Sequence, residues 1–142
     1  MEDISMKYRL IDHTADLGIH VFGSDPEDLF ANAAYALFDM ITDIGTLQGE
    51  NEKKISVGGD DWPDLIINWL REILFLWNGN ERLVKKADII SLTEKNLSAA
   101  VFYDRYDPDC HDIKIEIKAV TYHQVQVTAG PSGWEARVIF DI

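Results

Sequence analysis

Near the start of the chain, the five residues DHTAD place Asp12, His13 and Asp16 inside the stretch YRLIDHTADLGIHVFG, whose other residues favour β-strands. Carboxylates form strands poorly and are costly to bury without a partner. The C-terminal ARVIFDI raises the same question. Val138 and Phe140 alternate there with Ile139 and Asp141, so a strand carries an acid at its penultimate position, and a terminal Ile142 would add its α-carboxylate. If these two strands come together, Asp16, Asp141 and Ile142 converge, and three negative charges at one point repel unless a cation lies between them. An all-oxygen set suits a hard divalent ion, Ca²⁺ or Mg²⁺, rather than zinc or copper. An aspartate at a strand end is more commonly solvated, or bonded to a neighbouring backbone N–H. Spacing alone leaves both readings open.

Other residues able to do chemistry are weaker candidates. Asp12 and His13 flank Asp16 and could orient it or reach a partner, against the plainer reading of a solvated acid and a hydrogen-bonded structural histidine. His123, in TYH, has the chemistry of a general base, but no activated nucleophile lies near it in sequence. Cys110, His111 and the aspartates around them fall short of a closed zinc set, and neighbours in an extended loop diverge. VGGDDW lacks the lysine and spacing of a phosphate-cradling loop. Trp62, Trp69 and Trp77 follow helical spacing loosely and read as core, whereas Trp134 opens a strand after a turn.

The elements that must position these residues follow from periodicity. Tyr8 to Phe22 reads as two short strands or one with a break. GSDPED then offers Asp25 as an N-cap, Pro26 at the first helical position and acids in the first turn. Leu29, Phe30, Ala33, Ala34, Leu37, Phe38 and Ile41 recur with helical spacing, which predicts a helix ending near TDIG. KKISVGG reads as a strand closed by glycines. A second helix is predicted from Asp61 as cap and Pro63 in the first turn through the apolar face Leu65, Ile66, Trp69, Leu70, Ile73, Leu74 and Trp77 to NGN. From Leu83 the period becomes two, most plainly where Ile113, Ile115 and Ile117 alternate with Lys114, Glu116 and Lys118, and AGPSGW reads as a hairpin turn. The expected fold is α+β: one domain, residues 1–142, with two helices packed on one face of a mostly antiparallel mixed sheet.

Composition narrows the function classes. The 142 residues include 25 acidic and 13 basic side chains, a net charge of −12. That balance argues against direct nucleic-acid binding, which needs clustered Lys and Arg, and favours cations or a basic protein surface. The single cysteine suits a reducing cytosol. The N-terminus shows no secretory pattern, and LIINWLREILFLW is interrupted by polar and charged residues. A cytoplasmic protein without a membrane span is expected.

Together, DHTADLGI, KAVTYHQVQV and GWEARVIFDI, with LFANAAYALFDMITD between the first two, resemble the archease family over essentially the whole chain. The resemblance implies an accessory protein rather than an independent enzyme: a factor that assists the RtcB-type RNA ligase of tRNA splicing, speeding its guanylylation and allowing many turnovers. It also implies a divalent-metal site at Asp16, Asp141 and Ile142, with Ca²⁺ favoured or Mg²⁺. The segment FYDRYDPDCHDI matches no family motif. Two other functions stay open on the residues alone: a metal-dependent phosphoester hydrolase, and an acidic interaction module for which metal is incidental.

Overall fold

A computed structural model describes residues 6–13 and 16–142 of the chain, with Asp12 and His13 in their backbone alone. Strands β1 (Tyr8–His13) and β2 (Asp16–Gly23) form a hairpin, followed by helix α1 (Pro26–Ile41), strand β3 (Asn51–Gly58) and helix α2 (Trp62–Asn78). Four strands complete the chain: β4 (Arg82–Leu92), β5 (Asn96–Arg105), β6 (Ala119–Gly130) and β7 (Gly133–Asp141).

Both helices begin with the same device. The Asp25 carboxylate accepts from the Asp28 N–H at 2.7 Å, and Asp28 reaches back to the Ser24 N–H at 2.9 Å. At α2, Asp61 accepts from Asp64 N–H at 2.9 Å and Asp64 from Asp60 N–H at 2.8 Å. Two otherwise orphaned donors are satisfied at each helix start, and the four acids lie where the helix dipole favours them. The predicted stripe of α1, from Leu29 to Ile41, is fully buried. On α2, Leu65, Ile66, Trp69, Leu70, Ile73 and Leu74 are buried and Trp77 packs at the margin. Trp69 donates its indole N–H to the Phe30 carbonyl at 2.9 Å, so the largest buried side chain also locks one helix to the other.

The strands divide into two antiparallel sheets, ordered β1-β2-β7-β6 and β3-β5-β4. The α+β class and two-helix layout follow the sequence, while the division of the strands is new. Residues 106–118 carry the chain from one sheet to the other, and here one expectation is corrected. Ile113, Ile115 and Ile117 do face inward while Lys114, Glu116 and Lys118 are exposed, yet the segment has no strand ladder. It is bonded instead to the end of α1, through Lys114 N–H to Ile41 O at 2.7 Å and Thr42 Oγ1–H to Asp112 O at 2.7 Å. Alternating burial needs an extended backbone over a core; it does not need a neighbouring strand.

The loop before β3 hangs on a single carboxylate. Asp104, 9% exposed at the end of β5, accepts the backbone N–H groups of Gln48, Gly49 and Glu50 at 2.7, 2.8 and 3.1 Å. Three consecutive amides can converge only because the chain turns at Gly49, whose φ of +71° is a conformation glycine adopts without a Cβ penalty. Asp104→Ala should therefore cost about 2–3 kcal/mol, since three backbone donors lose one shared charged acceptor. Urea unfolding measures this; a loss below about 0.5 kcal/mol, the scale of an ordinary surface change, would show that the cradle is dispensable.

Candidate functional site: where the second and last strands meet

Strand β2 pairs with β7 in the register Leu17 to Phe140 and Ile19 to Val138. Continued by one step, that register sets Asp16 opposite Asp141 at the same end of adjacent strands. Ile19, Val21, Val138 and Phe140 fill the core. By alternation Asp16 and Asp141 take the opposite, outward side, which also carries Gly18, His20, Arg137 and Ile139. Asp16 is half-buried and Asp141 exposed, and Ile142 is 41% exposed just beyond. Asp141 is held from its other flank as well, paired with Ala119 of β6 and accepting Lys118 N–H at its carbonyl at 2.8 Å.

Among the described residues no group of three or more His, Cys, Asp or Glu side chains could hold a metal ion. Asp16 and Asp141 offer carboxylate oxygens from one face, the chemistry a hard divalent cation takes, and a further donor must come from beyond these two side chains. The backbone of His13 pairs with Asp16, and that of Asp12 with Leu17. The orienting or partner-contact roles expected of the Asp12 and His13 side chains lie outside the described residues.

His123 lies in an arch. The β6–β7 register shifts between Thr121 and Gln126, and Gln124 has φ +54°, uncommon for a residue with a Cβ. Helix α2 braces this arch. Tyr122 O–H donates to Asp64 at 2.6 Å, the Arg71 guanidinium lies 4.7 Å from the Tyr122 ring centroid, and Arg71 donates twice to Val120 O at 3.2 Å. The Tyr122 bond lowers the Asp64 pKa and raises that of Tyr122. His123 itself is exposed, with its N–H on Thr121 Oγ1 at 3.3 Å.

The Asp-rich loop is bonded within itself. Asp107 N–H donates to His111 Nδ1 at 3.0 Å, and the Cys110 thiol to the Asp107 carboxylate at 3.4 Å. That carboxylate pushes the thiol pKa up, which keeps Cys110 protonated and a poor nucleophile.

A row of polar residues on the outward face carries no signature in the sequence. Register aligns Arg9, His20, Arg137 and Gln126 across all four strands of the first sheet. His20 is 6% exposed; its Nε2 lies 2.7 Å from Glu135 Oε1 and its Nδ1 3.3 Å from an Arg9 guanidinium nitrogen. A carboxylate only accepts and a guanidinium only donates, so both contacts are satisfied by neutral imidazole with the proton on Nε2. The ring also packs on Phe22 at 4.4 Å between centroids.

Two antiparallel sheets and two helices, with the second and last strands side by side, define the class of fold. Residues 8–142 match the profile of the Archease protein family (MTH1598/TM1083), and the chain belongs to that family. The archease of Methanosarcina mazei is 34% identical over 140 residues, covering 96% of each chain. That of Methanopyrus kandleri is 35% identical over 140 residues, covering 96% of this chain and 100% of its own. The solution structure of Methanobacterium thermoautotrophicum protein 1598 superposes with a TM-score of 0.81 at 26% identity, over 96% of this chain and 99% of that one. A Thermotoga maritima crystal structure described as an archease, possible chaperone, gives 0.66 at 20% identity, over 93% and 94% of the two chains. No helix among the described residues is long and apolar enough to cross a membrane.

Burial lowers the His20 pKa against the pull of the Glu135 hydrogen bond, and the charges of Arg137 and Arg9 lower it further. The sign for stability follows. With the folded value below the unfolded value of about 6.5, the unfolded chain binds more protons in the interval between them. The contribution is present above about pH 6.5 and is lost as pH falls through the folded value. NMR titration should place the His20 ring below the ordinary value of about 6.5, and His20→Gln should flatten the stability profile in that interval. A His20 value at or above about 6.5 would refute the assignment.

Proposed function

We propose that this archease is an accessory factor of an RtcB-type RNA ligase of tRNA splicing, promoting the ligase's guanylylation and its repeated turnover in the cytoplasm, and is not itself an enzyme. Family membership over residues 8–142 is the observation that carries this reading. The adjacent positions of Asp16 and Asp141 support a divalent-cation site, Ca²⁺ or Mg²⁺, completed at Ile142. When bound, such an ion would supply a hard positive charge at an exposed edge of an otherwise acidic protein.

The chain's own residues do the remaining work. Asp16 and Asp141 hold the ion and fix its position through the β2–β7 ladder. The braced arch at Tyr122–Val125 stands on the adjoining strand, where His123 can meet the partner. The net charge of −12 favours docking against a basic surface such as the RNA-binding entrance of a ligase, so the partner and not this chain contacts the RNA backbone.

Ligase guanylylation with and without the protein tests the reading. Asp141→Ala and Asp16→Ala should each reduce stimulation by roughly tenfold or more at fixed archease, since loss of even an outer partner of a metal ligand costs about 10–100-fold in affinity. Stimulation equal to wild type in both variants would remove the cation from the mechanism and leave an acidic docking module. Failure of the wild-type protein to stimulate a cognate ligase would overturn the accessory role.

A further inference from the structure

On the outward face of the first sheet, beside the row through His20, lies a cavity of about 200 Å³ lined by His20, Gln126, Thr128, Glu135, Ala136 and Arg137. We propose that this cavity is a binding site for a phosphate-type oxyanion, gripped by Arg137 with Gln126 and Thr128. The site is separate from the Asp16–Asp141 edge and does not rest on the function proposed above.

Three observations carry it. The Arg137 guanidinium is exposed at the cavity and has no carboxylate or carbonyl partner among the described residues. A planar fork of N–H donors left open in this way matches an oxyanion in two-pronged geometry. The Gln126 amide and Thr128 hydroxyl stand beside it on β6, likewise without a protein partner among the described residues, and supply neutral donors. The one negative group lining the cavity, Glu135, is bonded at 2.7 Å to the His20 N–H, and Arg9 stands on the other side of that ring. Its charge is thus opposed by Arg9 and Arg137 within the same sheet face.

The size of the cavity sets the ligand class. It is smaller than the roughly 300–1,000 Å³ of pockets that enclose drug-sized molecules, and it takes a small anion or the phosphate end of a larger one. Register supplies the arrangement: Gln126 pairs with Arg137, and Thr128 with Glu135, so the donors project from neighbouring strands at fixed spacing.

The test is an NMR titration of the isotope-labelled protein with inorganic phosphate, at constant ionic strength against a chloride control. Saturable shifts centred on Gln126, Thr128 and Arg137 are expected. Arg137→Gln should weaken binding by about tenfold or more, the effect of losing a charge-assisted fork. Glu135→Gln, which keeps an acceptor for His20 and removes the opposing charge, should tighten it. A nucleoside monophosphate at least about tenfold tighter than free phosphate would show that the anion arrives on a nucleotide, and equal affinity would show that it arrives free; either supports the site. Shifts that never saturate, that chloride reproduces, or that Arg137→Gln leaves unchanged would overturn it. The spectrum of the variant reports its folding in the same experiment.

Discussion

The pairing of β2 with β7 is the constraint on which the rest of the molecule depends. It closes the first sheet, contributes Ile19, Val21, Val138 and Phe140 to the core, and determines which outward side chains become neighbours. A slip of one residue would turn one strand's core set outward, Ile19 and Val21 of β2 or Val138 and Phe140 of β7, so burial itself enforces the register. The same register sets Asp16 beside Asp141 and His20 beside Arg137. Functional geometry is inherited here from hydrophobic packing.

Much of this was legible in the residues. The helices announced themselves through Asp25-Pro26 and Asp61 with Pro63, and through apolar stripes that proved buried nearly residue for residue. The residues around DHTAD left two short strands or one broken strand open, because aspartates in a β-branched context are locally unfavourable, and the structure has the two strands β1 and β2. Strand partners were not legible. Period-two patterning tells which side of a strand faces the core and nothing about its neighbour, so the division into two sheets could not be foreseen. For the same reason Ile113 to Ile117 imitated a strand while bonding to a helix end.

The row of Arg9, His20, Arg137 and Gln126 was invisible for a related reason. Each residue alone is an ordinary outward side chain, and only the register, which joins positions 115 residues apart at His20 and Glu135, makes them a group. Net charge concealed it further. A total of −12 is an average over the surface, and it hides a sheet face where Arg9 and Arg137 flank a neutral histidine. The Asp104 cradle is a second such case, since nothing about an acid at the end of β5 indicates three amides arriving from a distant loop.

The order of strands in the chain has a consequence for biosynthesis. Strand β7 is the last of the seven to leave the ribosome, yet it lies in the interior of its sheet, between β2 and β6. Until it arrives, β2 and β6 each present an unpaired edge, the kind of edge that recruits foreign strands. Such long-range closure is also the slow part of folding. A nascent chain arrested before Gly133 can already hold both helices and the whole second sheet, but it has neither the Asp16–Asp141 pair nor the Arg137 cavity. Both surfaces are therefore properties of the finished molecule alone, and a partner that reads either one would discriminate completed copies from unfinished ones.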